Sequence, residues 1–192
     1  MKEFYLQSFI KIIAEQLRGI YLIDFMLVYI LAALIIIIPG RIKIKRNKDT
    51  AWSDVLAFYF WFAYVLVVIM ITILRRGIGA KEFRIVTRFN FGGFHGGTHT
   101  LAQFFYCVLN VVLFIPYGIF SRFLRRNDSN VRGIIMTVLM SFIFTVFIET
   151  FQLATGSGYF EVTDIVTNLF GGIIGAIVGT LILAAIRGKK EE

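Results

Sequence analysis

Residues 133–154 read GIIMTVLMSFIFTVFIETFQLA. At a helical rise of about 1.5 Å per residue, this run is long enough to cross a hydrocarbon core of about 30 Å. Its one ionisable side chain is Glu149. A carboxyl group persists in lipid where something pairs with it or uses it, so Glu149 is a candidate for function. Ser141, Thr145, Glu149 and Gln152 follow in steps of four, four and three, which puts them on one face of a helix.

Similar runs lie on both sides, at 20–39, 53–74, 101–120 and 164–186. The chain of 192 residues is 58% hydrophobic and 17% charged, and its mean hydropathy is +0.78, more apolar surface than a soluble domain of this size needs. These features predict an all-α fold, a polytopic membrane bundle of about five transmembrane helices. Before the first span, Leu6, Phe9, Ile10, Ile13, Leu17 and Ile20 recur at helical spacing opposite Lys11, Glu15 and Arg18. An interfacial amphipathic helix is therefore expected over 1–19, with no small-residue cleavage site after it, and a single transmembrane domain over 20–192. Pro39-Gly40 is expected to stop the first span.

The net charge of +8 resides largely in the connections. Arg41, Lys43, Lys45, Arg46 and Lys48 lie between two spans, where they read as a cytoplasmic loop and not as a nucleic-acid patch. With the C-terminus inside, twelve basic residues are cytoplasmic: those five with Arg122, Arg125, Arg126, Arg132, Arg187, Lys189 and Lys190. Eight are external: Lys2, Lys11, Arg18, Arg75, Arg76, Lys81, Arg84 and Arg88. This bias predicts a cytoplasmic C-terminus. The lone Cys107 excludes an internal disulfide.

That topology gathers polar residues at one depth. Glu149 and Gln152 fall near the outer end of their span, Asp164 and Asn168 near the outer start of the last, and Asp24 near the outer start of the first. All lie within about 10 Å of the external boundary. Asp164, Asn168, Gly171, Gly175 and Gly179 share a face, whose glycines form a small-xxx-small ladder suited to close helix approach and to a homo-oligomer interface. Gln103, Cys107, Asn110, Phe114 and Gly118 form a third stripe, and Pro116 is expected to kink that helix, either to widen a polar cavity or as a packing device. Arg84 and Arg88 precede the glycine-rich stretch 91–99, a loop suited to a zwitterionic or phosphate-bearing headgroup. His95 and His99 have a metal-like spacing, but the intervening glycines oppose a helix and no third ligand follows, so neither metal nor cofactor is expected.

Structural roles compete with each of these readings. Asp24 can snorkel to water, Asp164 can cap a helix, and Gln152 and Asn168 can be interhelical hydrogen-bond partners. A protonated Glu149 paired with Asn110 or Asn168 would likewise be structural.

Asn110, Phe114, Pro116 and Gly118, then Glu149 and Gln152, then Asp164, Asn168 and Gly171 follow in an order that resembles the VanZ-like family, over about 87–179. The resemblance implies a small multi-span bacterial membrane protein linked to resistance to glycopeptides such as teicoplanin. Two departures stand out: Gly158 occupies the place of a family arginine, and Thr163 that of the first acid of an acidic pair. Arg84 or Arg88 is the expected substitute for the arginine.

The leading expectation is a protein that binds an amphiphile at the outer leaflet, either a glycopeptide or a lipid-linked wall precursor. Its ligand-binding candidates are Asn110, Glu149, Gln152, Asp164, Asn168, Arg84 and Arg88. An enzyme that modifies a lipid-linked headgroup is the alternative, with Glu149 and Asp164 as catalytic candidates. No serine or cysteine elbow supports a covalent nucleophile, and the balance leans away from catalysis. A proton-coupled transporter is the third reading, weakened because the polar face stops near Thr145 and Ser141.

Overall fold

The computed structural model describes residues 2–46, 51–74, 76–95 and 97–188. Lys48, Arg75, Lys189 and Lys190, counted above among the loop charges, lie outside the described residues, as do the side chains of Lys2 and Arg46.

Six helices carry the fold: α1 (Lys2–Leu17), α2 (Leu22–Arg46), α3 (Trp52–Ile69), α4 (Thr98–Leu124), α5 (Asn130–Thr155) and α6 (Val162–Gly188). Five of them, α2 to α6, are long and apolar enough to cross a membrane. A π-helical turn, Met70–Leu74, extends α3. The two-residue strands β1 (Ile85–Val86) and β2 (Phe160–Glu161) pair in parallel and tie the long α3–α4 connection to the α5–α6 turn.

The first span does not stop at Pro39-Gly40. α2 runs through both residues to Arg46. A proline forfeits one backbone bond, and flanking helix on both sides can hold the element together. Gly40 serves packing instead, because a Cβ there would lie 2.5 Å from Val55 Cγ1 of α3. Asp24 is satisfied where it stands, accepting the Tyr21 N–H at 2.7 Å at the start of α2.

α1 sets only part of its periodic apolar face against the bundle. Ile12 is buried with Leu101 and Phe105 of α4, and the Phe9 and Phe105 rings meet at 5.1 Å. Leu6, Ile10 and Leu17 point outward as exposed apolar side chains. The helix thus divides its apolar residues between α4 and its surroundings.

α4 and α6 form the most extensive interface. Here the glycine ladder finds its use. A side chain on Gly171 would run into the Val111 carbonyl, and one on Gly175 into the Ile115 carbonyl and, at 2.8 Å, Gly118 Cα. Gly179 lies under the Arg122 side chain. The ladder is therefore occupied by α4 of the same chain, and is not a face open to a second copy. On the other side of α6, Gly172 meets Ser141 of α5. Val68, Phe114, Tyr117 and Ile148 fill the core between α3, α4 and α5, with Tyr117 stacked on Phe144 at 4.8 Å.

At the end of the bundle away from Glu149, Arg122 is fully buried. Its Nε donates to Thr180 Oγ1 at 2.9 Å, and its two terminal nitrogens donate to the Arg125 carbonyl at 2.6 Å and Asn130 Oδ1 at 3.3 Å. Gly133 leaves room for the guanidinium, 2.5 Å from the position of a Cβ. A residue that reads as loop charge is thus a staple between α4, α5 and α6. Nearby, Arg126 bonds Asp54 and joins the start of α3 to the end of α4.

Candidate functional site

The polar face of α5 points inward. Ser141, Thr145, Glu149 and Gln152 are all buried, and so is Thr137 one turn earlier. The way α5 ends decides what Glu149 meets. Gly156 takes a left-handed conformation (φ 63°), open to glycine at little cost, and the N–H groups of Ser157 and Gly158 turn back to the Gln152 carbonyl at 3.0 and 3.2 Å. The chain then crosses over the helix end as β2, and the Glu161 N–H donates to Glu149 Oε2 at 3.0 Å. The long connection closes over the same turn: Gly79 N–H donates to Thr155 O at 2.9 Å and Lys81 N–H to Gly156 O at 2.8 Å. Carbonyls that a helix end leaves without donors are satisfied here by a distant loop.

Gln152 links this turn to α3. Its Nε2 donates to the Thr72 carbonyl in the π-helical turn at 3.1 Å, and its Oε1 accepts from Arg76 at 3.3 Å. π-turns redirect a helix locally and recur at functional sites. This one carries the chain to Arg76, whose charge acts on both Glu149 and Asp164. The expected substitutes lie elsewhere: Arg84 and Arg88 are exposed, and Arg84 sits over the Tyr159 ring at 5.7 Å. Gly158 explains how Arg76 fits, since a Cβ there would lie 2.9 Å from the Arg76 NH1 and 2.8 Å from Gln152 Oε1. Gly158 thus makes room for Arg76, which lies just beyond the π-helical turn.

A cavity of about 830 Å³ opens in front of this turn. Its lining mixes the apolar Ile13, Leu109, Val112, Leu113 and Pro116 with the charged Glu15, Arg76, Lys81, Glu161 and Asp164 and the amides of Gln16, Gln103 and Asn110. Of the sequence candidates, Asn110 and Asp164 line it, whereas Glu149, Gln152 and Asn168 lie behind. Asn110 faces Asp164 and reaches Thr167 Oγ1 at 3.5 Å, the long limit for such a bond. Asn168 donates to Thr145 Oγ1 at 2.9 Å, an α5–α6 bond, while its Oδ1 is buried without a partner among the described residues. Thr163 accepts the Asn90 N–H at 3.1 Å and so holds the loop before α4.

Sequence reasoning missed Arg76, Lys81, Tyr159 and Glu161 as wall residues. Their neighbours in the chain give no periodic signal, and β1 and β2 are too short to show one. A cavity lined by both polar and apolar side chains can hold an amphiphile.

A family model described as VanZ/LLP1 matches residues 25–183. No curated protein and no solved structure matches the chain.

Proposed function

The chain belongs to the VanZ/LLP1 family, and from that premise we propose that its cavity binds an amphiphile at the outer leaflet of a bacterial cell membrane. The excess of basic residues at the Arg122 end supports a cytoplasmic C-terminus, and with it an external cavity. The observation that carries the reading is that apolar and charged side chains line one cavity. Leu109, Val112, Leu113 and Pro116 would take an apolar chain, and Arg76, Lys81, Asn110, Glu161 and Asp164 a charged head. Glu149, Gln152 and Asn168 would support these from behind. Arg84, exposed over the Tyr159 ring, and the exposed Arg88 would meet the ligand on entry. A lipid-linked wall precursor and a glycopeptide such as teicoplanin both have this amphipathic form.

Titration of the purified protein with labelled teicoplanin and with a lipid-linked wall precursor tests the proposal. Saturable binding of one, weakened by Asp164→Asn, is expected; saturable binding of neither refutes it. Binding is favoured over catalysis because Glu149, the candidate base, lies behind β2 and not on the cavity wall. Unchanged wall precursors by mass spectrometry in expressing cells are the matching expectation.

Transport is the second reading, and one observation favours it. Thr137, Thr180 and Arg122 are buried and extend the polar line of Ser141 and Thr145 to the far end of the bundle. Proton flux in proteoliposomes under a pH gradient, abolished by Glu149→Gln, would favour transport over binding.

A further inference from the structure

Charges of both signs line the cavity, with Glu15, Glu161 and Asp164 beside Arg76 and Lys81. Glu149 is buried behind them, and among the described residues Arg76 is the cation whose charge acts on both Glu149 and Asp164. That guanidinium is oriented by its bond to Gln152 through Nη1, and among the described residues its other donors are open to a further acceptor. Lys81 is held at the rim, with its ammonium 5.2 Å from the centre of the Tyr159 ring. Carboxylates crowded in a site screened from water favour an added cation. A guanidinium and an ammonium at its edge favour an added anion.

We infer that the cavity recognises a zwitterionic lipid headgroup, with a primary ammonium at Asp164 and Glu161 and a phosphate at Arg76 and Lys81. The inference rests on the amphiphile reading and narrows it to one headgroup class. A primary ammonium is a compact charge with three donors, which suits two carboxylates and the Asn110 carbonyl oxygen. The apolar lining from Leu109 to Pro116 receives the acyl chain. A glycerol-phosphate headgroup would bring only negative charge to Asp164 and Glu161, and like charges at close range disfavour binding.

The test compares two lipids of equal chain length, phosphatidylethanolamine and phosphatidylglycerol, for binding to the full chain in a neutral detergent. Free phosphoethanolamine forms a third arm. The ethanolamine lipid should bind about tenfold more tightly than the glycerol lipid, a preference on the scale of one charge-assisted contact. Asp164→Asn and Glu161→Gln should each reduce that ratio to less than about threefold, whereas Arg76→Gln should weaken both lipids together. Two carboxylate variants are used so that misfolding of one does not decide the outcome. Saturable binding of both lipids with equal affinity overturns the headgroup assignment and leaves the amphiphile reading standing. Equal affinity for free phosphoethanolamine and its lipid overturns the acyl-chain part. Saturable binding of neither lipid overturns the headgroup assignment, while the amphiphile reading stands or falls by the titration with teicoplanin and the wall precursor.

Discussion

Gly158→Ala tests whether the turn after α5 is built around Arg76. The new Cβ would lie 2.8 Å from Gln152 Oε1, 2.9 Å from Arg76 NH1 and 3.2 Å from Gln152 Cβ, where ordinary contact begins near 3.4 Å. Something must move by about half an ångström. Gln152 is held at its other end by the bond from Nε2 to Thr72 O, so the Arg76 guanidinium is the group that yields, and its 3.3 Å bond to Gln152 is lost. A hydrogen bond to a charged group contributes about 1.5–3 kcal/mol, and a methyl forced into a packed site costs about 1–3 kcal/mol. The two effects overlap in part, because displacing the guanidinium relieves its own contact and leaves those to Gln152, so a net loss of about 2 kcal/mol is expected. Denaturant titration in mild detergent, followed by tryptophan fluorescence, measures it. The sharper measurement is a double-mutant cycle with Arg76→Ala. Gly158→Ala should cost about 1 kcal/mol less once the guanidinium is gone. Additivity to within about 0.3–0.5 kcal/mol would refute the argument that Gly158 exists to seat Arg76.

Gly175→Ala and Gly179→Ala should separate sharply in thermal unfolding. The first Cβ meets backbone of α4 that cannot give way, with an expected loss of about 3 kcal/mol, whereas the second meets Arg122 side-chain carbons at 3.0 and 3.2 Å and should cost no more than about 1 kcal/mol. Arg122→Ala removes donors from Thr180, Asn130 and the Arg125 carbonyl and leaves a void between glycines, for about 2–4 kcal/mol in denaturant titration. Glu149→Gln keeps an oxygen to accept the Glu161 N–H, so lipid affinity should change by less than about threefold; a loss like that of Asp164→Asn would place Glu149 in direct contact with the ligand.

Much of the fold was legible in the sequence because lipid imposes a simple constraint: a backbone crossing it must satisfy its own hydrogen bonds, and apolar length then marks each helix. All five spans follow from that, and the steps from Ser141 to Gln152 locate the inward face of α5 correctly. Periodicity could identify a tight-packing face on α6 but not what sits against it. Gly171 and Gly175 read equally well as a contact with a second copy or with α4. Arg122 was hidden for a related reason: a hydropathy window treats a basic residue near a span end as loop, although here Thr180, Asn130 and a carbonyl bring it inside. Arg76 was invisible as a site residue because it depends on the π-helical turn before it and on the space left by a glycine 82 positions later, and neither leaves a local pattern.

The same physics explains why the most conspicuous residue is not the one on the cavity wall. A carboxylate in the middle of an apolar run is costly, so Glu149 stands out in the sequence, and the fold answers that cost with β2 laid across it. A group so enclosed is well placed to fix β2 and Glu161, and poorly placed to touch a ligand. Asp164, Glu161, Arg76 and Lys81 lie closer to the turns, where a charge costs less and blends into ordinary loop and helix-cap chemistry. Residues in that zone can remain accessible and charged, as a headgroup site requires. In a membrane protein of this kind, an isolated buried acid is therefore a pointer to the site, and the binding groups should be sought one turn outward, on the elements that the acid holds in place.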